Sequence, residues 1–193
     1  MKVCVVGSGA REHALAATLA RTAEVVVTPG NPGIEGSVST PPTEIDADLV
    51  VIGPEAPLVD GLADRLRAIG RRVVGPGADG ALLEGSKVFM KELLVEAGLP
   101  TAAHSAFTEV DPAFAYLDRI TPPYVVKTDG LAAGKGVLVT ESLREARNAV
   151  EEYISGSAFG PAGQRLVIEE GLVGPELSFF ALCDGRRGVL FPF

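Results

Sequence analysis

A glycine-rich, cationic loop in the second half of the chain is the first candidate for chemistry. Residues 129–136 read Asp-Gly-Leu-Ala-Ala-Gly-Lys-Gly, and Lys127 ends the apolar run before them. Glycine amides and a lysine can together surround a polyphosphate. The loop is not a Walker A motif, because Lys135 is followed by Gly136 and an apolar run rather than by Ser or Thr and a helix. We therefore expect a strand–loop–strand unit that folds over a triphosphate as a lid.

A lysine and several acidic residues flank this loop. Lys87 begins a predicted helix, where a solvated lysine is the ordinary interpretation. The apolar run Val167-Ile168 ends in Glu169 and Glu170, and the strand then breaks. Such a strand end can present backbone groups and a carboxylate to an adenine edge, and Glu176 could bind a ribose diol. Acids at strand ends are usually only solvated, so this interpretation depends on their pairing with the lysines.

The first glycine-rich turn, residues 7–13, follows an apolar run and opens a helix. Its pattern resembles a dinucleotide-binding turn, but Glu12 replaces the third glycine and the second strand ends in Thr28-Pro29, without an acid for a ribose. A smaller phosphate could bind the helix N-terminus with Arg11 as a donor. A tight strand–helix turn without a ligand is an equal alternative.

The loop at residues 53–58, Gly-Pro-Glu-Ala-Pro-Leu, offers one further polar group. Glu55 could accept hydrogen bonds from a substrate hydroxyl or amine, and the prolines stiffen the loop around it. The alternative is an acid favoured by a helix N-terminus.

The two histidines are not favoured as catalytic groups. His13 lies one turn into a helix, where packing or a hydrogen bond is favoured over general-base catalysis, and His104 is interpreted as surface or structural.

Short apolar strands alternate with helices up to about residue 85, where we place the domain boundary. The pattern predicts strands at 2–6, 25–27, 49–52 and 72–74 and helices at 14–20 and 58–69. Continuous apolar strands that alternate with helices are typical of a parallel sheet covered on both faces. Because ligands bind beyond the carboxyl ends of such strands, the glycine-containing loops that end them are candidate binding loops.

The second half has a different, α+β pattern with antiparallel pairing. We predict helices at 86–97, from 108 and at 142–154, and strands at 104–107, 123–127, 137–140, 165–169, 176–183 and 187–191. The last two strands are joined by Asp184-Gly185, which is a hairpin signal.

Composition excludes several classes of protein. The 193 residues carry 17 Lys and Arg against 25 Asp and Glu, a formal net charge of −8, and 47% are hydrophobic. This chain is too apolar for intrinsic disorder and too acidic for bulk binding to nucleic acid or an anionic membrane. Two cysteines cannot form a disulfide framework, and no apolar run is long enough to span a bilayer. We expect a cytoplasmic protein.

Six motifs, in this order, resemble the phosphoribosylamine–glycine ligase family of ATP-grasp enzymes. They are residues 1–13, 29–33, 53–58, 83–87, 126–136 and 168–170. The resemblance covers essentially the whole chain, and the motif from Lys127 to Gly136 is the most specific. It implies a Rossmann-like parallel-sheet (pre-ATP-grasp) domain at 1–85 and a partial α+β ATP-grasp domain at 86–193, with a nucleotide lid at about 105–171.

The resemblance also implies a reaction and its ligands. The family uses ATP and Mg²⁺ to join glycine to 5-phosphoribosylamine in de novo purine synthesis, through a glycyl phosphate. It assigns ATP binding to Lys87, Lys127, Gly130, Gly134, Lys135, Gly136, Glu169, Glu170, Gly171, Leu172 and Glu176. It assigns the remaining substrates to Gly9, Arg11, Asn31, Gly33, Pro54, Glu55 and Asp129.

One departure from the family is the length of the chain. Members continue past the point matched by Phe193 into the strands that bind Mg²⁺ and a C-terminal domain, so we expect no metal ligands in these 193 residues and no turnover by the chain alone. Two other functions remain open. A non-catalytic module that binds ATP or a sugar phosphate is the alternative, and an NAD-dependent oxidoreductase is disfavoured by Glu12 and the acid-free second strand.

Overall fold

The first half of the molecule is built on a four-stranded parallel sheet. The computed structural model describes residues 1–132, 135–159 and 164–191. The strands β1 (Lys2–Gly7), β2 (Glu24–Pro29), β3 (Leu49–Ile52) and β4 (Val73–Val74) lie in the order β2-β1-β3-β4. Helices α1 (Ala10–Leu19), α2 (Glu55–Val59), α3 (Leu62–Ala68) and α4 (Ala78–Gly85) complete this half.

Both faces of this sheet are buried, as the continuous apolar strands predicted. Val3 and Val5 of β1 pack with Ala16 of α1 on one face. Cys4 lies on the opposite face, where it belongs to the same cluster as Leu66 of α3. Burial also raises the pKa of the Cys4 thiol to about 11, so it is an unreactive core residue. The prediction of a parallel sheet covered by helices on both sides is confirmed.

The prediction of one continuous helix at 58–69 is wrong. The structure has two helices here, because Gly61 adopts a left-handed backbone conformation (φ 77°) between α2 and α3. A single residue with positive φ interrupts a right-handed helix, and glycine adopts it without steric cost. The break separates α2, which begins at Glu55, from α3, which packs Leu66 against the sheet. Helix α4 was not predicted.

The second half contains an antiparallel sheet, as predicted. Helix α5 (Lys87–Glu96) joins the two halves, and strands β5 (His104–Phe107), β6 (Tyr124–Thr128), β7 (Val137–Thr140) and β8 (Leu166–Glu170) lie in the order β5-β8-β6-β7. Helices α6 (Val110–Leu117) and α7 (Leu143–Ile154) cover one face. Their apolar side chains form one core with Val126 and Ile168.

A separate hairpin follows residue 180 and is shorter than predicted. The predicted strands at 176–183 and 187–191 shrink to β9 (Ala181–Cys183) and β10 (Gly188–Leu190). A hairpin strand extends only as far as its partner does, and each of these pairs over three residues. The Asp184 carboxylate stabilises the turn by accepting hydrogen bonds from the backbone amides of Arg186 and Arg187. In the described part of the chain, no helix is long and apolar enough to cross a membrane.

Candidate functional site

A cleft of about 800 Å³ lies between the two halves. The first half contributes Arg11, Pro54, Glu55, Ala56, Leu83 and Glu84 to its wall. The second half contributes Lys87, Met90, Lys127, Leu131, Ala132 and Glu169. The cleft therefore brings together residues that the sequence assigned to two different ligands.

Strand alternation places Lys127 on the cleft face of the antiparallel sheet. Val126 points into the helix-covered core, and Lys127, as the next residue, points to the opposite face. Its Nζ lies 3.0 Å from Oε2 of Glu169 on the neighbouring strand. The ammonium group remains partly accessible, with 27% of the side chain exposed. Lys127 thus has a carboxylate partner and still reaches the cleft.

Glu169 is a buried carboxylate in the wall of this cleft. Only 5% of the residue is exposed. Its Oε2 accepts hydrogen bonds or ion pairs from two lysines, Lys127 at 3.0 Å and Lys91 at 3.1 Å. Its other oxygen, Oε1, is buried without a hydrogen-bond partner among the described residues. The adenine contact of Glu169 stays a prediction, and in the structure its carboxylate holds two ammonium groups.

Lys91 was missed by the sequence analysis. It lies one helical turn after Lys87 on α5, is only 4% exposed and donates to Oγ1 of Thr101 at 2.8 Å. The available signal was its spacing, because residues four apart share a helix face. That spacing aligns Lys91 with Lys87 on the side of α5 that faces the cleft.

Lys87 lies at the mouth of the cleft rather than free in solvent. Its Nζ is 3.3 Å from the carbonyl oxygen of Gly130, and its backbone amide donates to the carbonyl of Asp129 at 3.2 Å. Burial lowers the pKa of Lys87, while the nearby Asp129 carboxylate opposes that shift and the Lys127 ammonium adds to it. The interpretation of Lys87 as an isolated, solvated lysine does not fit this position.

Asp129 joins the glycine-rich loop to helix α5. Its Oδ1 accepts hydrogen bonds from the Ser86 hydroxyl at 2.9 Å and the Val88 amide at 2.8 Å. Its Oδ2 lies 3.8 Å from Arg165. The sequence assigned Asp129 to substrate binding, and in the structure this carboxylate is occupied by the start of the helix.

The glycine-rich loop is described at both ends. The Thr128 amide donates to the Gly136 carbonyl at 2.8 Å, and a Cβ on Gly136 would lie 2.6 Å from that of Ala132, so only glycine fits there. Lys135 is exposed, and its backbone amide donates to the Ala132 carbonyl. Gly134 lies outside the described residues.

The predicted adenine hinge continues beyond Glu169. Glu170 pairs with Ala103 through both its backbone amide and its Oε1, each at 2.9 Å. Gly171 lies against Pro123, whose carbonyl oxygen would be 2.5 Å from an added Cβ. Leu172 is 74% exposed and Glu176 is also exposed. These four residues extend from the cleft and are not part of its described wall.

On the opposite wall, Arg11 and Glu55 form an ion pair. Nη1 of Arg11 donates to the Gly53 carbonyl at 2.6 Å and to Oε1 of Glu55 at 2.8 Å. Glu55 is the first residue of α2, after Pro54. It is therefore both an acid at a helix N-terminus and a group at the cleft that could accept a hydrogen bond from a substrate. Its pKa is lowered, first by a hydrogen bond from its own backbone amide and then by Arg11.

The turn at Gly9 is tied to the loop after β2. Asn31 donates to the Ser8 carbonyl at 2.7 Å, and its Oδ1 accepts from the Gly33 amide at 2.7 Å. Glu12 is buried, accepts from the Gly9 amide at 2.7 Å and fills the space beside Gly53. Gly9, Asn31 and Gly33 therefore form one loop cluster at the carboxyl edge of the parallel sheet.

Both histidines lie away from the cleft wall as described. His13 is exposed and borders a separate cavity of about 420 Å³ with Ala16 and Ile34. His104 contacts the Ala102 carbonyl at 3.1 Å.

Within residues 1–132, 135–159 and 164–191, no three His, Cys, Asp or Glu side chains converge as a metal site would require.

Two family models together match the whole chain. "Phosphoribosylglycinamide synthetase, N domain" matches residues 1–84, and "Phosphoribosylglycinamide synthetase, ATP-grasp (A) domain" matches residues 85–193. The phosphoribosylamine–glycine ligase of Xanthomonas axonopodis pv. citri is 48% identical over 98% of this chain and 48% of its own length. That of Escherichia coli K12 is 48% identical over 97% of this chain and 48% of its own length. The chain spans about half the length of these curated relatives.

Solved structures agree with this assignment. The phosphoribosylamine–glycine ligase of Thermotoga maritima superposes with a TM-score of 0.82 at 32% identity, over 100% of this chain and 49% of that one. D-alanyl-alanine synthetase A of Vibrio cholerae has a TM-score of 0.77 at 14% identity, over 98% of this chain and 65% of that one, and shows a shared fold alone. The chain therefore belongs to the phosphoribosylglycinamide synthetase family.

Proposed function

We propose that this chain carries the ATP and 5-phosphoribosylamine sites of a ligase that joins glycine to 5-phosphoribosylamine and converts ATP to ADP and phosphate. The observation that carries the proposal is the shared cleft, where Arg11 and Glu55 of the first half face Lys87, Lys127 and Glu169 of the second. A reaction between an activated acid and an amine needs both substrates in one enclosed space.

Residues of the second half fit a nucleoside triphosphate. The Nζ atoms of Lys87 and Lys127 supply positive charge at the cleft, and the glycine-rich loop begins beside them at Gly130. Oε1 of Glu169 is a buried acceptor that the described protein leaves unpaired, and such atoms are normally satisfied by a partner. A donor on the base edge of the nucleotide would satisfy it. Glu170, Gly171, Leu172 and Glu176 would continue the nucleotide site outward.

Residues of the first half fit a phosphorylated sugar amine. Arg11 lies at the cleft with 60% of its side chain exposed, and guanidinium groups bind phosphate through paired, charge-assisted hydrogen bonds. Glu55 beside it can accept a hydrogen bond from an amine or a hydroxyl. Gly9, Asn31 and Gly33 lie at the same carboxyl edge of the sheet, where ligands of parallel sheets bind.

The chemistry has two steps. A carboxylate oxygen of glycine attacks the γ-phosphorus of ATP, and the bond from that phosphorus to the β-phosphate oxygen breaks. The products of this step are ADP and glycyl phosphate. The amine of phosphoribosylamine then attacks the glycyl carbonyl carbon, phosphate leaves, and the nitrogen loses a proton. An acyl phosphate reacts with water, so the cleft must close during the reaction, and the glycine-rich loop is suited to this task.

Mg²⁺ is expected for this family, but the described residues do not fit a magnesium site. Of the three carboxylates in the described cleft wall, Glu55 is paired with Arg11 and Glu169 with two lysines, which leaves Glu84 alone. A magnesium ion needs oxygen ligands in near-octahedral geometry. We therefore assign no residue of this chain to the metal.

Two measurements test the proposal. ATP is titrated into the chain, and saturable binding is expected. ADP release is then assayed with Mg²⁺, glycine and freshly made phosphoribosylamine, for the chain and for a fusion of residues 1–193 to the remaining half of the Escherichia coli relative. Release that requires both glycine and the amine supports the ligase. Saturable ATP binding without such release in either protein would favour the non-catalytic binding module instead.

A further inference from the structure

Helix α5 carries a lysine that is almost wholly buried. Lys91 is 4% exposed and does not reach the cleft wall, whereas Lys87, one turn earlier, does. A buried ammonium group is strongly unfavourable unless it is paired and hydrogen-bonded. Both conditions are met, by Glu169 at 3.1 Å and by Thr101 at 2.8 Å. Because burial of the Lys91 ammonium group is unfavourable, we looked for a function of this charge.

The charges of this group do not cancel. Lys91 and Lys127 share one carboxylate, and both approach the same oxygen, Oε2 of Glu169. Two positive charges against one negative charge leave a surplus of one positive charge at the floor of the cleft. Without Lys91, Glu169 would neutralise Lys127 and the surplus would vanish.

The shared oxygen also affects how tightly Lys127 is held. A carboxylate that already binds one ammonium group attracts a second one less strongly. Lys127 is partly exposed and Lys91 is buried, so Lys127 is the lysine that can turn towards an anion entering the cleft. Lys91 then remains as the counter-ion of Glu169.

We infer that Lys91 is a positioning residue for polyphosphate binding: it pairs with Glu169 so that Lys127 keeps its positive charge available to the phosphates of the nucleotide. This inference rests on the proposed function, because it presumes that the cleft binds ATP. It predicts that Lys91 controls affinity for the phosphate chain of a nucleotide and not for the nucleoside.

The test compares ATP with adenosine, which lacks phosphates. Lys91→Met removes the charge at similar length and is expected to weaken ATP binding about ten-fold, as the loss of one nearby charge would at intermediate dielectric. Adenosine affinity, measured by ligand-observed NMR, is expected to change less than about two-fold by the same argument. Lys91→Arg keeps the charge and should restore most of the ATP affinity. Lys2→Met, which removes a lysine paired with Glu24 in the first half, is the matched control and should bind ATP as wild type does.

Each outcome decides one question. A wild-type chain that binds no ATP would contradict the proposed function itself. Wild-type ATP binding with a parallel loss of ATP and adenosine affinity in Lys91→Met would show a merely structural lysine and overturn the inference. Unchanged ATP affinity in a folded Lys91→Met chain would also overturn it.

A second variant serves if Lys91→Met does not fold. The double variant Lys91→Met/Glu169→Gln removes the buried pair together and leaves Lys127 with the same surplus of one positive charge. Inorganic tripolyphosphate, which makes no base contact, is the probe. Affinity within about three-fold of wild type is expected from the equal net charge. A ten-fold loss in the folded double variant would refute the electrostatic explanation.

Discussion

The carboxylate of Asp129 accepts a hydrogen bond from the backbone amide of Val88 at 2.8 Å. Val88 lies in the first turn of α5, where backbone amides have no acceptor within the helix. Asp129 begins the glycine-rich loop, so one hydrogen bond joins the loop to the helix that carries Lys87 and Lys91. The position of Lys87 at the cleft therefore depends on a residue more than forty positions away in the chain.

Asp129→Ala should lower both stability and ATP affinity. The variant leaves the Val88 amide and the Ser86 hydroxyl without their acceptor, which resembles the loss of a helix cap. We expect the free energy of unfolding in urea to fall by about 1–2 kcal/mol. Asp129→Asn keeps an acceptor oxygen and should lose less. Equal losses in the two variants would show that the charge, and not the hydrogen bonds, holds the loop.

Lys127→Ala should weaken ATP binding by ten-fold or more, since it removes one of the two ammonium groups in the described cleft wall. The fold should persist, because Glu169 keeps Lys91 as its partner. Calorimetric titration with ATP measures the effect, and Lys2→Ala controls for the loss of one positive charge. An affinity equal to wild type would remove Lys127 from the site.

Much of the fold could be predicted because its signals are local. Apolar strands that end in glycine loops predicted the parallel sheet, and the change of pattern near residue 85 predicted the antiparallel one. The helix at 58–69 failed because its apolar spacing continues through Gly61, while the backbone does not. The spacing of apolar residues indicates which face of a helix is buried, but it does not reveal that the chain changes direction at one glycine.

The candidate site divides in the same way. Lys127 could be singled out because a lysine interrupts an otherwise apolar strand. The spacing of Lys91 places it on the same helix face as Lys87, but its burial could not be predicted, because a lysine on a helix is ordinarily solvated. That burial arises from an ion pair with Glu169, seventy-eight positions away. Contacts of that kind depend on how β8 approaches α5, and no local pattern records it.

Gly53→Ala should destabilise the first half. An added Cβ would overlap the Glu12 carboxylate and lie 2.7 Å from its Cγ. Glu12 is buried and bonded to the Gly9 amide, so it cannot move aside freely. We expect a loss of about 1–3 kcal/mol, as for other overpacked sites, measured by urea unfolding. Gly174→Ala adds the same methyl group where no atom lies within 4 Å and should change stability little. Equal effects would refute the proposed overlap.

The pKa of Glu55 should respond to both of its hydrogen-bond donors. It is lowered from its ordinary value of 4.5 by the residue's own amide first and by Arg11 second. A carboxylate with a lowered pKa adds stability above its unfolded value and loses that stability as the pH falls through the folded value. Because 39% of the side chain is exposed, the contribution is small, about 0.5 kcal/mol or less. NMR titration of the carboxyl group is therefore the better measurement.

Arg11→Ala separates the two causes. We expect the pKa of Glu55 to rise in this variant but to stay below 4.5, because the backbone hydrogen bond remains. A return to 4.5 would make Arg11 the whole cause.

The same titration of the Glu55 carboxyl group also tests the sugar-phosphate site. A phosphate group bound by Arg11 would draw the guanidinium from Glu55 and add negative charge beside it, and both changes raise the pKa of a carboxyl group. Ribose 5-phosphate should therefore raise the pKa of Glu55 in wild type and leave it unchanged in Arg11→Ala, whereas an unchanged pKa in wild type would remove Arg11 from phosphate binding.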